Sequence, residues 1–366
     1  MDDDRFNCIV VGGGLAGLTA AYVMAKEGLA VLLVERATIC GSKNVTGGKI
    51  CSHSIEKVFP DFANSAPVER EITTERVCSW SGDEIPCKDE LTPSRSYSVI
   101  RAKLDSWLAA QAEDAGVMLI QGIVITDLIV RNGKVCGVIA DGDEVEADIV
   151  VLAEGINGLL ARKLGMITEL DPAHTCIGTK EVIELGEDII NERFNLASGE
   201  GAELMYMGDR TKGQYADGFI YTNKTSVSVG IEFLISDIYN TDKSVPEMLE
   251  EFKELPEVAA FIAGGHLVEY SAHLVKKGGY DESVKLYGDG VLLAGDTAGL
   301  VANLGWAVRG MDMAVESGRL AAETVIKSSE TGNFSAESLR SYQDEIETSF
   351  IVEDMKLCGE YLKGGA

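Results

Sequence analysis

The chain has 366 residues, of which 46% are hydrophobic, so it can bury a substantial core and is longer than a typical single domain. Its 59 acidic residues outnumber 32 basic ones, and the formal net charge of −27 at pH 7 disfavours nucleic acid or an anionic bilayer as a partner. No apolar run is long enough to span a membrane, and the acidic start, MDDDRF, lacks the basic residues of a signal peptide, so we expect a cytoplasmic protein.

The first predicted elements form a dinucleotide-binding unit. An apolar strand at residues 8–11 is followed directly by Gly12-x-Gly14-x-x-Gly17 and by an Ala-rich helix that runs to Lys26. Gly12 permits a tight turn, Gly14 lets backbone approach a pyrophosphate, and Gly17 allows helix and strand to pack closely. The helix N-terminus offers free N–H groups and partial positive charge to phosphates.

A second apolar strand, residues 30–34, ends in Glu35. A carboxylate there is placed to accept hydrogen bonds from an adenosine ribose, and it would repel the 2′-phosphate of NADP. The whole pattern, in which a strand, the glycines, a helix, a second strand and an acidic residue follow in order, favours a site for FAD or NAD. The alternative is a glycine-rich turn without a ligand.

The middle of the chain contains a third strand and then a region of different texture. Residues 147–155 predict a strand that runs into Glu154-Gly155, followed by a short helix. Residues 176–186 and 218–234 alternate in polarity, which is typical of antiparallel strands, with a turn at Asn223-Lys224. Residues 244–263 predict one amphipathic helix, so we expect a second domain that covers the ligand and forms the substrate cavity.

The C-terminal third decides between the two dinucleotides. A buried strand at residues 291–294 stops at Gly295-Asp296, and a helix resumes from about residue 310 to 326. A carboxylate at that strand end can hold the ribityl or ribose hydroxyls of an extended cofactor, which favours FAD over NAD; the alternative is that Asp296 only caps a loop. Gly299, Gly305 and Gly310 would let backbone approach a flavin ring. A last helix is predicted from residue 336 to about 363.

Cysteine and histidine spacing indicates neither a metal centre nor a catalytic triad. The eight cysteines include no CxxC pair, so we expect no iron–sulfur cluster and interpret the thiols as reduced core residues. Cys40 and Cys51 flank the predicted flavin loop, and a redox role for them is the alternative. The four histidines have no partner at triad or metal-ligand spacing. We therefore assign no catalytic side chain and expect the flavin to carry the chemistry.

The three glycine-containing strand ends resemble the FAD-dependent family that includes aromatic hydroxylases, geranylgeranyl reductases and electron-transfer flavoprotein:quinone oxidoreductases. Where that family usually carries Asp-Gly or Ala-Gly in the middle motif, this chain has Glu154-Gly155, which puts a role for that carboxylate in doubt. Within the family the chain is most similar to the FixC branch. The segments that carry this resemblance are GSKNVTGG at 41–48, SAPVER at 65–70, RAKLDSWL at 101–108, FIYTNK at 219–224, YSAH at 270–273 and LGWAVRGMD at 304–312.

The resemblance implies an α/β fold in which a Rossmann-like FAD-binding domain of the aromatic-hydroxylase type is interleaved with an antiparallel-sheet substrate domain. We assign residues 1–75, 98–170 and 280–330 to the FAD-binding domain and 76–97 and 171–279 to the substrate, or cap, domain. Residues 331–366 would form a C-terminal helix. FixC-like chains usually continue for several tens of residues past this point, so the resemblance implies a shortened or truncated end.

The cofactor site predicted from motifs and resemblance together comprises 20 residues. It places Gly47 and Gly48 against the flavin ring and Arg101 near the ribityl and phosphate groups, with a solvent-facing cation as the alternative for Arg101. For Tyr270 and His273 we expect a packed tyrosine and a capping histidine. Arg309 would stabilise an anionic flavin or pair with Asp312. The full set is Gly12, Gly14, Leu15, Ala16, Gly17, Glu35, Arg36, Lys43, Thr46, Gly47, Gly48, Arg101, Val124, Glu154, Gly155, Gly295, Asp296, Gly305, Ala307 and Val308.

The implied function is an FAD-dependent oxidoreductase that accepts electrons from an electron-transfer flavoprotein and passes them to a quinone or to a separate ferredoxin-like protein. A quinone acceptor would bring the protein to the membrane surface as a peripheral protein. The alternatives are a geranylgeranyl-reductase-like enzyme that reduces C=C bonds, an NAD(P)H-dependent aromatic hydroxylase, and a flavin-bound scaffold subunit without turnover.

Overall fold

Two large sheets, a two-stranded sheet (Ala302–Asn303 with Val308–Arg309) and the surrounding helices form the described part of the protein. The computed structural model describes residues 5–43, 47–80, 87–90, 94–208, 216–303 and 308–364. In chain order the elements are β1 (Phe6–Val11), α1 (Leu15–Lys26), β2 (Val31–Glu35), β3 (Gly47–Cys51), α2 (Ser52–Val58), α3 (Phe62–Ser65), β4 (Val68–Trp80), β5 (Cys87–Glu90), β6 (Ser96–Ile100), α4 (Arg101–Asp114), β7 (Met118–Gln121), β8 (Ile125–Arg131), β9 (Lys134–Ala140), β10 (Asp143–Leu152), α5 (Leu159–Lys163), β11 (Thr175–Glu184), α6 (Glu187–Phe194), β12 (Glu200–Gly208), β13 (Ala216–Thr222), β14 (Ser226–Leu234), α7 (Val245–Glu254), α8 (Pro256–Ile262), β15 (His266–Lys276), β16 (Tyr287–Gly288), β17 (Val291–Leu293), β18 (Ala302–Asn303), β19 (Val308–Arg309), α9 (Met311–Thr331), α10 (Ala336–Glu347) and α11 (Phe350–Gly364).

The first sheet is largely parallel and has the strand order β16-β17-β10-β1-β2-β7. β1 lies between β10 and β2, and its last residue, Val11, pairs with Leu152 on one side and Val34 on the other. β10 in turn pairs with β17, where Leu152 lies beside Leu293. The carboxyl ends of the four strands that carry the predicted motifs therefore meet at one edge of the sheet, which is where parallel sheets bind ligands.

Two long helices, α1 and α9, pack against each other beside this sheet. Their close approach depends on Gly318, because a Cβ atom built there would lie 2.2 Å from the carbonyl oxygen of Ala16. The apolar strands and these helices share one core cluster. The helix predicted from residue 310 to 326 is confirmed as α9, which runs one turn further, to Thr331.

The second sheet has nine strands and is antiparallel apart from one parallel pair. Its order is β15-β11-β14-β13-β12-β4-β6-β3, with β5 paired to β4. β4 and β12 run parallel, from Glu71 opposite Glu200 to Trp80 opposite Gly208. Helices α7 and α8 cover the outer face, where the ring of Phe252 fills the space above Gly218. The inner face remains turned toward the first sheet.

The strand pairing places more of the chain in the second sheet than the predicted domain division does. β3, the first part of β4 and β6 lie within segments assigned to the FAD-binding domain, yet all three pair within the antiparallel sheet. Their partners are distant in sequence, so neither composition nor periodicity reveals the pairing. The inner sheet face therefore extends to residues 47–51, next to the predicted flavin loop.

Two predicted helices are each divided in the structure. The helix predicted at 244–263 is α7 and α8, since Pro256 has no N–H to donate and starts a new helix after Leu255. The predicted terminal helix is α10 and α11, which are separated at Thr348 and Ser349. None of the described helices is long and apolar enough to cross a membrane.

The prediction that the cysteines are reduced is wrong for two of them. Cys78 on β4 and Cys87 on β5 face each other across an antiparallel pair and form a disulfide. Their spacing of nine residues gives no recognisable motif, so the pair is visible only once the strands are aligned. The other six cysteines are free, and all but Cys136 are buried.

Candidate active site

A cavity of about 400 Å³ lies between the two sheets and is lined by both. One side, which we call the parallel-sheet wall, is formed by the carboxyl ends of β1, β2, β10 and β17 and by the segments that follow them. The other side, the antiparallel-sheet wall, is the inner face of β3 and of β11 to β15. The volume of the cavity lies in the range of small-molecule and cofactor sites.

The parallel-sheet wall is made mainly of backbone at the turn between β1 and α1. Gly12 has a φ of +109°, and a Cβ there would lie 2.2 Å from the carbonyl oxygen of Ala153. A Cβ on Gly17 would lie 2.0 Å from the carbonyl oxygen of Gly12. Gly17 therefore fixes the turn from behind and does not line the cavity, whereas Gly12 and Gly14 do.

The N-terminus of α1 begins at Gly14, which provides no side-chain cap, and the first turn holds no acidic residue. The free N–H groups and partial positive charge of this helix end are thus available to an anionic group in the cavity. Leu15 and Ala16 line the cavity at this point.

Glu35, at the end of β2, is held in a fixed position by backbone donors. Its carboxylate accepts hydrogen bonds from the N–H of Gly13 and the N–H of Ala37, each at 2.7 Å. The carboxylate lines the cavity and has lone pairs left to accept hydroxyl donors.

Arg101, the first residue of α4, lies in the cavity wall and not in solvent. Its guanidinium makes two hydrogen bonds to the carboxylate of Asp105, at 2.7 and 2.8 Å, and its side chain is 14% exposed. Burial acts to lower the pKa of Arg101, but the nearby carboxylates of Asp105 and Asp296 outweigh it and raise the pKa. The solvent-facing alternative for Arg101 is therefore wrong.

Asp296 follows β17 and faces the cavity together with His273 from β15. Burial raises the pKa of Asp296 above its usual range, against the opposing influence of His273 and Arg101. Burial likewise lowers the pKa of His273. The expectation of a capping histidine is wrong, because His273 lies mid-strand on the inner face of the sheet. Tyr270 lies on the opposite face of the same strand and is half exposed.

Glu154 has a structural role at the end of β10. Its carboxylate accepts hydrogen bonds from the N–H groups of Leu160 and Ala161, at 2.9 and 3.1 Å, and so caps the short helix α5. Burial raises its pKa. Gly155 lies beside it in the cavity wall with a φ of +71°.

The antiparallel-sheet wall presents charged side chains that the sequence analysis did not select. Lys49 on β3 is buried between the carboxylates of Glu203 and Glu75, the latter at 3.1 Å. Glu232 on β14 accepts a hydrogen bond from the side chain of Asn303, and burial raises the pKa of Glu232 to about 7.

The signal for these residues was present in the sequence. Two of them are charged residues within segments that alternate in polarity, namely Lys180 in CIGTKEVIEL and Glu232 in residues 218–234. The missed polar residues of this wall are Lys49, Lys180, Asp217, Tyr221, Glu232 and His273.

Fifteen of the predicted site residues line this cavity. Gly17 does not, and only the backbone of Gly47, where β3 begins, is described. Thr46, Gly305 and Ala307 lie outside the described residues. Those that line the cavity are Gly12, Gly14, Leu15, Ala16, Glu35, Arg36, Lys43, Gly48, Arg101, Val124, Glu154, Gly155, Gly295, Asp296 and Val308.

The structure favours an ion-pairing role for Arg309 and a packing role for Cys40 and Cys51. Arg309 forms ion pairs with Asp312 and with Asp354, the latter at 2.5 Å. Burial raises the pKa of Cys40 and of Cys51 to about 12, which keeps both thiols protonated and unreactive near neutral pH.

Comparison with known proteins agrees with this arrangement. Residues 7–182 match the family model of FAD dependent oxidoreductases. Protein FixC of Escherichia coli K12 is 46% identical over 363 residues, which cover 98% of this chain and 85% of that protein. A probable electron transfer flavoprotein-quinone oxidoreductase of the same strain, YdiS, is 45% identical over 362 residues, covering 97% and 84% of the two chains.

The fold also has solved counterparts. A geranylgeranyl bacteriochlorophyll reductase-like protein from Thermoplasma acidophilum superposes with a TM-score of 0.79 at 20% identity and covers 98% of this chain and 88% of that one. At this level of identity the likeness establishes the two-sheet architecture, and with it the predicted fold class, but not the substrate.

Proposed function

The chain belongs to the FixC family of FAD-dependent oxidoreductases, and from this premise we propose that it takes electrons from an electron-transfer flavoprotein and delivers them to a quinone or to a separate ferredoxin-like protein. The observation that supports the proposal is the near full-length similarity to YdiS, whose name, probable electron transfer flavoprotein-quinone oxidoreductase, describes the quinone branch of this activity. The cavity between the two sheets is where we place the reaction.

The parallel-sheet wall fits FAD by its donors and by its tight backbone packing. We propose that the N-terminus of α1 holds the phosphates, as its uncapped N–H groups and the close packing of Gly12 suit them. Glu35 would accept the ribose hydroxyls, and Arg101 and Asp296 would hold the central part of the cofactor. When bound, FAD supplies the electron transfer itself. The other predicted residues that line the cavity complete this proposed site.

The protein groups around the cofactor would position it and control water and protons. The Arg101–Asp105 pair fixes the guanidinium, so its direction is set before a ligand enters. Apolar side chains such as Met205, Phe219 and Val275 would exclude water from the antiparallel-sheet wall. Glu232, with a pKa raised to about 7 by burial, can hold or release a proton near neutral pH.

The charges of the antiparallel-sheet wall weigh against the geranylgeranyl-reductase-like alternative. An isoprenoid chain needs an apolar tunnel, whereas Lys180, Asp217 and Glu232 all line this cavity. Burying hydrocarbon against such groups removes their hydration without offering hydrogen bonds in return. This supports a compact polar acceptor.

Anaerobic reduction of the purified yellow protein tests the proposal. Reduced electron-transfer flavoprotein should bleach the flavin absorbance rapidly, and NADPH at the same concentration should not. Photoreduction of the same sample gives the control that the flavin can be reduced. Bleaching by NADPH alone would contradict the proposal and favour a hydroxylase or reductase.

The acceptor also determines where the protein would work. A quinone held in a bilayer requires peripheral contact with the membrane, whereas a ferredoxin-like acceptor does not. Flotation with neutral-lipid vesicles, with and without quinone, separates the two. Quinone-dependent flotation would support the peripheral site.

A further inference from the structure

Lys180 is a buried ammonium with no hydrogen-bond partner among the described residues. It lies on β11, its side chain is 3% exposed, and it lines the cavity. The nearest carboxylate oxygen, on Glu269, is 3.9 Å from its Nζ, beyond hydrogen-bond distance. Burial lowers the pKa of Lys180 to about 8. A desolvated ammonium of this kind calls for an acceptor that the chain itself does not provide.

The sheet surface next to Lys180 is flat and partly open. A Cβ built on Gly178, its neighbour on the same face of β11, would have only the carbonyl oxygen of His273 nearby, at 3.9 Å. Gly230 on β14 pairs with Lys180 on β11. The ring of Phe219 covers Gly230 and lies 2.4 Å from the position that a Cβ of Gly230 would take. Ammonium, open glycine surface and aromatic ring thus lie together on one part of the wall.

The charges around this surface favour a neutral ligand over an anion. Glu232 and Asp217 line the same cavity, as does Asp296 on the opposite wall. A permanent carboxylate or phosphate ligand would meet these acidic groups, while an uncharged carbonyl compound would not. A planar ring with a carbonyl oxygen matches both the aromatic side chain and the ammonium donor.

We propose that this surface is the acceptor site, in which a quinone ring packs against Phe219 over Gly178 and Lys180 donates a hydrogen bond from Nζ to a quinone carbonyl oxygen. The inference rests on the proposed function. Reduction of a quinone to its hydroquinone adds two electrons, which come from reduced electron-transfer flavoprotein, and two protons. One proton passes from the Lys180 ammonium to the oxygen it contacts, and the other comes from solvent, which also reprotonates Lys180.

Three variants and one control test the assignment. Lys180→Met removes the donor, Lys180→Arg keeps the charge, and Gly178→Val fills the open surface without touching the ammonium. Lys253→Met is the matched control, since Lys253 pairs with Glu181 on the outer face of the same strand. All four should keep their FAD content and their rate of reduction by electron-transfer flavoprotein.

The readouts are the dissociation constant of a soluble short-chain quinone for the oxidised protein, measured by equilibrium dialysis, and the KM in turnover. Lys180→Met and Gly178→Val should raise both at least tenfold, Lys180→Arg less than threefold, and Lys253→Met not at all. If the wild-type protein binds quinone and both Lys180→Met and Gly178→Val bind it with unchanged affinity, the proposed site is wrong but the proposed function stands. A wild-type protein that is reduced by electron-transfer flavoprotein but binds no quinone would overturn both the site and the quinone part of the proposed function.

Discussion

The parallel-sheet wall contains glycine backbone packed too tightly for a Cβ atom, whereas the antiparallel-sheet wall contains buried charged side chains among apolar ones. Gly12 and Gly295 leave no room for a Cβ, the latter because Ala16 would lie 2.9 Å away. On the other wall, the buried ammonium of Lys49 pairs with Glu203, and the buried carboxyl group of Glu232 accepts a hydrogen bond from Asn303. The first wall is therefore defined by shape, and adding one carbon should damage it. The second is defined by chemistry, and changing one charge should alter it.

The largest effect is expected where shape is strictest. In Gly17→Ala the new Cβ would lie 2.0 Å from the carbonyl oxygen of Gly12, so the turn must move, and we expect loss of FAD with destabilisation of about 3 kcal/mol or more. The measurements are flavin absorbance per polypeptide and thermal unfolding.

Gly28→Ala is the matched control for that variant. Gly28 lies just after α1 and has a φ of +84°, but no atom lies within 4 Å of its Cβ position. Its cost should be about 1 kcal/mol, with FAD retained. Equal behaviour of the two variants would show that steric shape does not define this wall.

The second effect concerns a buried ion pair in the cavity wall, Arg101 with Asp105. Asp105→Asn leaves the guanidinium without its counter-charge, and we expect a loss of about 3 kcal/mol in unfolding free energy and weaker FAD retention. Asp344→Asn breaks the exposed pair with Arg340 at the same helical spacing and should cost less than about 0.5 kcal/mol. Chemical denaturation of both variants gives the comparison, and equal losses would refute it.

The third effect is a pH dependence that belongs to the antiparallel-sheet wall. Burial raises the pKa of Glu232 from 4.5 to about 7, so the folded protein binds this proton more tightly than the unfolded chain. Its contribution to stability is complete below pH 4.5 and is lost as the pH rises through 7. Glu232→Gln removes that loss and should be more stable than wild type at pH 8, by up to about 3 kcal/mol, with the difference vanishing near pH 4.5.

Unfolding curves between pH 4.5 and 8 measure that difference. Glu251→Gln, an exposed carboxylate in an ion pair with Lys243, is the control and should follow the wild-type curve. A Glu232→Gln curve parallel to wild type would mean that Glu232 is ionised at no cost in the fold.

The smallest effect on the cavity is expected from a feature that lies on neither wall. Cys78 belongs to the outer core of the antiparallel sheet, and its disulfide closes a short loop. Cys78→Ala with Cys87→Ala should lower stability by about 2 kcal/mol and leave FAD content and reduction rate unchanged. Loss of flavin in this double variant would mean that damage anywhere in the antiparallel sheet reaches the cofactor, and that the two walls cannot be separated.

The parallel-sheet wall could be predicted from sequence because its determinants are local. Gly12, Gly14, Gly17 and Glu35 belong to one βαβ unit, and their spacing alone encodes the turn and the strand end. The strands that carry Gly155 and Gly295-Asp296 were also recognisable, and parallel pairing brings their ends together.

The antiparallel-sheet wall could not be predicted in the same way. Whether Lys180 or Glu232 faces solvent or a cavity depends on which strands pair and on what covers the other face. His273 shows the same difficulty, since its proximity to Asp296 joins elements that local patterns treat separately. The disulfide and the extension of the sheet to β3 and β6 are likewise products of distant pairing.

The parallel pairing of β4 with β12 has a consequence for biogenesis. β4 and β12 are far apart in the chain, and the first sheet likewise requires β17, which a ribosome produces only after every strand of the second sheet. Neither sheet can close while the nascent chain is short, and contacts of such long range form slowly. The second sheet draws its strands from segments between residues 47 and 276, which also contain strands of the first sheet. Both walls become available only after β17 has left the ribosome, so capture of the flavin has to follow synthesis of that strand.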